Sequence, residues 1–339
     1  MMRKLFSAVL AAAVLLAAGI SAEAVQYRIR DLGINGIARG INDSGQVVGQ
    51  SDLHAFIWQN GSMTDIDTIG GTDSYAYDIN DSGQVVGYSY TSDGSQHAFL
   101  WQNGSMTDIG TLGGTISYAY GINDSGQVVG WSNTSGGDSH AFLWQNGSMT
   151  DIGTLGGTYS RAYGINDSGQ VVGESDLHAF LWQNGSMTDI GTLGGTSSRA
   201  YGINDSGQIV GFSYSSDGFY PFLWQNGSMT DLGTFGGTYS SAYGINDSGQ
   251  VVGWSNTSGG DRHAFLWQDG SMTDLGTLGG TWSGAYGINN NGWIVGYSYD
   301  AFSNAHAVIW EPIPEPSSIL ALLCGIGSLG SVIVRRRVK

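Results

Sequence analysis

The chain has 339 residues, 56 of them glycine, and a formal net charge of −16. Residues 25–316 hold six arginines against 27 acidic residues. A surface this acidic repels a phosphate backbone, so nucleic acid is excluded as a partner. Cys324 is the only cysteine, which excludes an intramolecular disulfide, a thiol enzyme and a cysteine-ligated metal site.

The first 24 residues predict a secretory signal peptide with a helical apolar segment. Arg3 and Lys4 precede the apolar run 5–20, and Ala22-Glu-Ala24 supplies the small residues of a cleavage site. An uncleaved, membrane-anchored N-terminus is the alternative. We therefore divide the chain into a signal peptide (1–24), a repeat region (25–312) and a C-terminal tail (313–339).

The repeat region contains one unit seven times, once every 38 to 43 residues. A His-Ala-Phe triplet marks each unit, and its first position is occupied by His54, His97, His140, His178, Tyr220, His263 and His306. Self-similarity at a fixed period of this length is typical of solenoids and propellers, in which one unit cannot bury its apolar faces alone.

Each unit holds four short segments of strand character. In the third unit they are Tyr118–Asn123, Gln127–Ser132, His140–Gln145 and Ser148–Gly153. Gly and Asn stand at the turns between them, where tight hairpins require positive φ. No segment of the repeat region shows the 3.6-residue apolar period of a helix. The pattern predicts an all-β fold in which each unit is one propeller blade.

The two ends of the repeat region are complementary. The last unit ends at Glu311-Pro312 without a fourth strand, whereas Tyr27–Gly33 before the first unit matches that missing strand. Seven fourth-strand aspartates result: Asp31, Asp65, Asp108, Asp151, Asp189, Asp231 and Asp274. We therefore predict a seven-bladed β-propeller of four-stranded blades that is closed by the N-terminal strand, which leaves no exposed sheet edge. An open solenoid is the alternative.

The repeated polar residues favour structural roles. One histidine per unit suggests a metal array, but equivalent positions of a ring do not converge, so hydrogen bonding or packing is the favoured interpretation. The fourth-strand aspartates fit a solvated outer strand. The Asn123-Asp124-Ser125-Gly126 turn offers oxygen ligands without the alternating carboxylates of an EF-hand, so calcium remains the alternative to a plain turn. We predict no catalytic residues, no metal site and no cofactor.

The connection between the second and third strands varies in length and carries aromatic residues. Aromatic faces among short polar side chains are what a carbohydrate site uses. Gln50 and Glu174 replace the aromatic residue in two units, which suggests a partly exposed position; packing between blades is the alternative. The candidate ligand-binding residues are Tyr88, Tyr90, Trp131, Phe212, Tyr214, Trp254, Tyr297 and Tyr299, with Phe219 beside them.

The C-terminal tail has three parts. Pro314, Glu315 and Pro316 precede the apolar run 317–334, which is long enough for a transmembrane helix, and Arg335, Arg336 and Arg337 follow it. The basic cluster is expected to stay in the cytoplasm, which holds the repeat region outside the inner membrane before any processing.

This tail closely resembles the PEP-CTERM sorting signal of Gram-negative bacteria. The resemblance implies cleavage near the motif by an exosortase-type enzyme and delivery to the cell surface or an extracellular matrix. The repeats look like the HAF extracellular repeat family, named for the His-Ala-Phe triplet, from which Tyr220-Pro-Phe222 departs. That family implies location and fold but no reaction.

We therefore expect an exported, non-catalytic structural or binding module of the cell surface or matrix that contacts polysaccharide through the variable side of the propeller. A polysaccharide lyase or hydrolase is the alternative, and it would need non-repeated polar residues such as Arg161, Arg199 and Asp217 at the channel mouth. A ligand-free surface protein is the third hypothesis.

Overall fold

Alternating apolar residues and glycine-rich turns produce β-strands throughout residues 26–313. These are the residues that the structure, a computed structural model, describes. Every regular element in this range is a β-strand, which confirms the all-β prediction. Within it no helix is long and apolar enough to cross a membrane. The signal peptide (1–24), the transmembrane segment (317–334) and the residues of the sorting motif lie outside the described residues.

The strands follow one another in seven groups. The first four groups are β1 (Gln26–Ile41), β2 (Val47–Ser51), β3 (His54–Gln59), β4 (Ser62–Asp65); β5 (Gly70–Ile79), β6 (Val85–Thr91), β7 (Gln96–Gln102), β8 (Ser105–Asp108); β9 (Gly113–Ile122), β10 (Val128–Thr134), β11 (Ser139–Gln145), β12 (Ser148–Asp151); and β13 (Ser160–Ile165), β14 (Val171–Ser175), β15 (His178–Gln183), β16 (Ser186–Asp189). The last three are β17 (Ser198–Ile203), β18 (Ile209–Tyr214), β19 (Phe219–Gln225), β20 (Ser228–Asp231); β21 (Gly236–Ile245), β22 (Val251–Thr257), β23 (Arg262–Gln268), β24 (Ser271–Asp274); and β25 (Gly279–Ile288), β26 (Ile294–Asp300), β27 (Ala305–Ile313).

Within each group the strands pair antiparallel in chain order. In the third group Val129 of β10 lies opposite Gly121 of β9 and Leu143 of β11, and Leu143 lies opposite Thr150 of β12. Parallel pairs at single positions, such as Gln96 with Ile116, link one group to the next. The four-segment unit predicted from the sequence is therefore a four-stranded sheet.

The second strand of each unit carries a glycine because the first strand passes close to it. A Cβ atom on Gly130 would lie 1.8 Å from the carbonyl oxygen of Tyr118, which no side chain can tolerate. The pairing register of β9 and β10 shifts between Val129 and Gly130, as expected for a bulge. The Val-Val-Gly motif is thus a backbone requirement.

Each hydrophobic cluster is shared between neighbouring units. Val128 belongs to a cluster with Val86 and Ala98 of the preceding unit, whereas Val129 packs with Ala162 and Val171 of the following one. Both valines are fully buried. At roughly 25 cal/mol per Å² of apolar surface, exposing either side would be costly. The adjacent valines therefore bury one side chain on each face of the sheet.

The N-terminal strand joins the last unit to the first. β1 is hydrogen-bonded to β27 on one side and to β2 on the other. Arg30 forms an ion pair with Glu311 at 2.9 Å, and His306 Nδ1 lies 3.0 Å from Asp31 Oδ2. β1 thus extends the three-stranded sheet of the last group.

Candidate ligand-binding site

A ring of side chains in edge-to-face and tilted contact lines the inner surface of the first strands. Six units place a tyrosine directly after a buried alanine, and the first unit places Arg39 there. Neighbouring tyrosine rings have centroids 4.7–5.2 Å apart, and the Arg39 guanidinium carbon lies 4.3 Å and 5.7 Å from the two end rings. The ring consists of Arg39, Tyr77, Tyr120, Tyr163, Tyr201, Tyr243 and Tyr286.

These seven residues, together with Arg161 and Arg199, line a cavity of about 400 Å³. We call it the Tyr/Arg cavity. Both added arginines stand two residues before a ring tyrosine, so they share its side of the strand. Arg161 pairs in register with Glu174, next to the connection between β14 and β15. The cavity therefore opens on the side of the variable connections, which we call the variable face.

The cavity arginines differ in their partners. Arg199 forms an ion pair with the buried Glu174, with Nε 2.5 Å from Oε2. Arg161 lies over the ring of Trp131, 4.5 Å from its centroid, and its Nε is buried without a hydrogen-bond partner. Within residues 26–313 neither Arg39 nor Arg161 forms an ion pair with a carboxylate. Two positive charges at the cavity are thus uncompensated by a salt bridge.

Burial raises the hydroxyl pKa of five ring residues, which therefore stay protonated at neutral pH: Tyr77, Tyr120, Tyr163, Tyr201 and Tyr286. Burial raises the pKa of Tyr286 to about 12, although the nearby Arg39 acts in the opposite direction. Burial also raises the pKa of Tyr163, whose hydroxyl donates a hydrogen bond to Glu174 at 2.8 Å. The Tyr/Arg cavity therefore offers neutral aromatic faces, hydroxyl groups and guanidinium groups to a ligand.

The opposite end of the first strands is acidic. Seven Asn-Asp or Asn-Asn turns at that end surround a second cavity of about 190 Å³. At roughly 3.3 Å per residue, each turn lies about 13 Å along the strand from the ring residue of its unit. Six of the seven turns carry an aspartate: Asp43, Asp81, Asp124, Asp167, Asp205 and Asp247. The two ends of the first strands thus carry opposite charge.

The turns themselves are held by hydrogen bonds, as the sequence predicted. Asn123 Oδ1 accepts a bond from the backbone N–H of Gln127 at 2.9 Å, and Gly126 N–H donates to the carbonyl oxygen of Asn123 at 3.0 Å. Within residues 26–313 no group of three or more His, Cys, Asp or Glu side chains is arranged to hold a metal ion.

Asp78 lies between the two cavities, at a position that is glycine in the other units. It is only partly accessible, and desolvation raises the pKa of its carboxyl group to about 7. Its oxygens accept hydrogen bonds from the backbone N–H groups of Ile79 and Ile122 at 2.9 and 3.0 Å. This acid is a single-unit departure from the repeat, and sequence reasoning did not identify it.

The repeated histidines are hydrogen-bonded, which confirms the favoured interpretation. His140 Nδ1 lies 2.6 Å from Asp151 Oδ2, and four further units show the same pair at 2.6–2.7 Å. The hydrogen bond from His54 to Asp65 raises the pKa of that histidine. The fourth-strand aspartates are partly exposed, as expected, but they also fix the histidine of the third strand.

The aromatic residues predicted to bind ligand divide into two groups. Tyr88, Trp131, Trp254 and Tyr297 are only 7–9% exposed and pack beside the cavity. Glu174 at the same position is 5% exposed. The inference that this position is partly exposed is therefore wrong for these units, because the flanking strands cover it, whereas Gln50 and Phe212 do remain partly exposed.

The remaining predicted residues lie further out on the variable face. Tyr214 is 44% exposed and packs against Phe212 and Phe219. Tyr90 and Tyr299 are partly exposed. The structure thus surrounds the Tyr/Arg cavity with some predicted residues, but the lining tyrosines themselves were missed.

The three non-repeated residues named for an enzyme are only partly brought together. Arg161 and Arg199 line the Tyr/Arg cavity, whereas Asp217 is not among its lining residues and interacts with Tyr220. The signal that could have found the lining residues is the Ala-Tyr-Gly triplet itself. Its tyrosine is present in six units and replaced by Arg39 in the seventh.

No protein-family model matches the sequence, and no curated protein matches it. Solved structures do match. The extracellular domain of BT4673 from B. thetaiotaomicron is 11% identical with a TM-score of 0.53, and the match covers 86% of this chain and 40% of that one. YCF48 bound to D1 peptide is 13% identical with a TM-score of 0.53, covering 86% and 98%.

A puromycin-hydrolysing peptidase from Mycobacterium tuberculosis is 11% identical with a TM-score of 0.51, and the match covers 80% of this chain and 49% of that one. The chain thus spans 40–49% of the BT4673 domain and of the peptidase. Likeness at such low identity concerns the fold and not the function. What the chain shares with these proteins is an all-β fold of propeller type.

Proposed function

We propose that this protein is an exported, non-catalytic binding module of the cell surface or extracellular matrix, and that it contacts polysaccharide through the Tyr/Arg cavity. One observation carries the proposal: six neighbouring tyrosines and three arginines face a single concave surface. Sugar rings stack on aromatic faces, and their hydroxyl groups pair with tyrosine hydroxyl and guanidinium groups.

We also propose that the seven units are the blades of one closed propeller. Two sets of contacts support this. The ring of contacting side chains runs through all seven units, because Arg39 contacts both Tyr286 and Tyr77. The turn asparagines form a second ring, in which Asn289 bonds to Asn42. Closure would fix the lining residues on one circle and thereby create the cavity.

Export and sorting remain proposals that rest on the terminal sequences. The signal peptide would direct the repeat region across the inner membrane, and an exosortase-type enzyme would process the tail near Pro314-Glu-Pro316. Mass spectrometry of the mature protein tests both steps. Masses that correspond to cleavage after Ala24 and near Pro316 support the proposal, and an intact chain of 339 residues contradicts it.

Binding is tested on a glycan array with the purified repeat region, followed by titration of the best ligand. Tyr120→Leu removes one aromatic ring from the cavity and should weaken binding several-fold, since an aromatic contact contributes roughly 0.5–1.5 kcal/mol. Tyr239→Leu is the matched control, because Tyr239 is 45% exposed and does not line the cavity. Equal affinities of the two variants would contradict the assigned surface.

The second candidate function is polysaccharide cleavage at the same surface. Glu174 is a buried carboxylate next to the cavity, but Arg199, Tyr159 and Tyr163 occupy it fully. Among the described residues no carboxyl group lines the cavity itself, whereas glycoside hydrolysis uses an acid and a base placed on either side of the scissile bond. Incubation with the polysaccharide that binds, followed by reducing-end analysis, separates the two functions. Product formation would favour the enzyme.

A further inference from the structure

The positive charge of the repeat region is concentrated at one place. Of the six arginines between residues 25 and 316, three line the Tyr/Arg cavity, although the region as a whole is strongly acidic. We propose that this cavity selects an acidic polysaccharide and binds the carboxylates of its uronic acid residues. The inference rests on the proposed function and names the ligand class within it.

The arginines are available to an anion. Glu174 compensates Arg199, whereas Arg39 and Arg161 have no carboxylate partner within residues 26–313. Their contacts are with aromatic rings: Arg39 with Tyr286, and Arg161 with Trp131 and Tyr159. Arg161 also forms a side-chain hydrogen bond with Tyr163. Contact with a ring face holds a guanidinium group in place and does not use up its in-plane N–H groups.

The arginine side chain is also built into the site and not merely exposed beside it. The Nε of Arg161 is buried and lacks a hydrogen-bond partner in the described structure. A buried, unsatisfied N–H group has an energetic cost, and the protein itself does not fully pair this guanidinium group. The planar guanidinium group matches a carboxylate with two parallel hydrogen bonds, which favours a uronic acid over a neutral sugar.

The channel's charge distribution limits how an acidic chain can bind. Six aspartates surround the opposite end, and they repel an anion that would enter there or pass through. An acidic polysaccharide therefore binds at the variable face, where one sugar carboxylate reaches the arginines and the neighbouring rings stack on tyrosines. The net charge of the whole chain opposes the denser charge of a nucleic acid.

Calorimetric titration of the repeat region with a galacturonate tetrasaccharide and a neutral galactose tetrasaccharide tests this inference. We expect the acidic ligand to bind at least tenfold more tightly, with an affinity that falls as salt is raised. Two variants remove one charge each. Arg39→Tyr inserts the residue of the six other units, and Arg161→Ser inserts the residue that Ser241 provides at the same position.

Each variant should lower the affinity for galacturonate about tenfold, as expected for the loss of a charge-assisted hydrogen bond, and leave neutral ligands unaffected. Arg262→Ser is the control, because Arg262 stacks on Trp254 at 3.8 Å and does not line the cavity. Should Arg161→Ser unfold, Arg39→Tyr carries the test, since its new side chain continues the tyrosine ring.

Three results would overturn the inference. In the first, the neutral and acidic tetrasaccharides bind with equal affinity, both arginine variants keep that affinity, and only Tyr120→Leu lowers it. This result would exclude selectivity for acidic ligands and leave the proposed function intact. If a heparin-derived tetrasaccharide bound more tightly than galacturonate, the group that the cavity selects would be sulfate and not carboxylate. Tighter binding of single-stranded DNA would assign the cavity to a different polymer.

Discussion

Asn289 donates a hydrogen bond from Nδ2 to the carbonyl oxygen of Asn42 at 3.0 Å, although 247 residues separate the two in the sequence. The same bond links each turn asparagine to the next, at 3.0–3.1 Å in all seven cases. All seven side chains are buried. A buried amide that loses this acceptor is left unsatisfied, so each bond matters to stability.

Asn289→Ala should therefore destabilise the fold as much as Asn166→Ala, by about 1–3 kcal/mol each, because both remove a buried side chain–backbone bond. Chemical denaturation of the repeat region measures the change. Ser186→Ala on an exposed outer strand is the control and should have little effect. If Asn289→Ala were silent while Asn166→Ala was not, the proposed closure would fail.

Removal of Gln26–Gly33 should destabilise the whole repeat region. It deletes the strand that pairs with β27, together with the Asp31 partner of His306 and the Arg30 partner of Glu311. It also leaves an open sheet edge, which invites aggregation. The melting temperature and the rate of proteolysis check this prediction. A truncated chain that melted like the intact one would show that the N-terminal strand contributes no closure.

Asp78 should make stability depend on pH. Its carboxyl pKa is raised from 3.8 to about 7 in the folded state, so the folded protein holds a proton that the unfolded chain releases. Stability is therefore lost as the pH rises from about 4 to 7. In Asp78→Gly, which restores the residue of the other units, that loss should be absent.

The free energies of unfolding of the parent and of Asp78→Gly, measured at pH 5 and pH 8, give the comparison. Relative to the parent, the free energy of unfolding of Asp78→Gly should be about 2 kcal/mol higher at pH 8 than at pH 5. Asp269→Asn, which replaces an exposed acid by the residue of other units, should show no such shift. An unchanged difference for Asp78→Gly would place that carboxyl in a well-solvated site.

Gly130→Ala should be strongly destabilising even though it adds one methyl group. The new Cβ would lie 1.8 Å from the carbonyl oxygen of Tyr118, so β9 would have to move away from β10. We expect a loss of several kcal/mol, at the upper end of single substitutions. Gly136→Ala is the control, because its nearest contact is a side-chain oxygen at 3.6 Å. Similar stabilities would disprove the close approach of the strands.

The histidine and cavity residues show where sequence reasoning succeeds and where it stops. A hydrogen-bonded His140 was predictable, because Tyr220 fills the same position in another unit, which favours a structural role over a repeated metal ligand. The burial of Tyr88 and Trp131 was not predictable from the sequence, because the strand pattern does not indicate how closely the neighbouring unit covers their rings. Consequently the predicted ligand surface lay beside the cavity and not in it.

The repeat period, the alternating apolar residues and the turn glycines determined the four-stranded unit, because these are local properties of the chain. The pair Val128 and Val129 already required cover on both faces, and the neighbouring units provide it. Only the tertiary structure decided which side chains meet. Arg39, Arg161 and Arg199 are distant in sequence and line one cavity because the first strands that carry them border it. That convergence depends on the geometry between units, which no single repeat encodes.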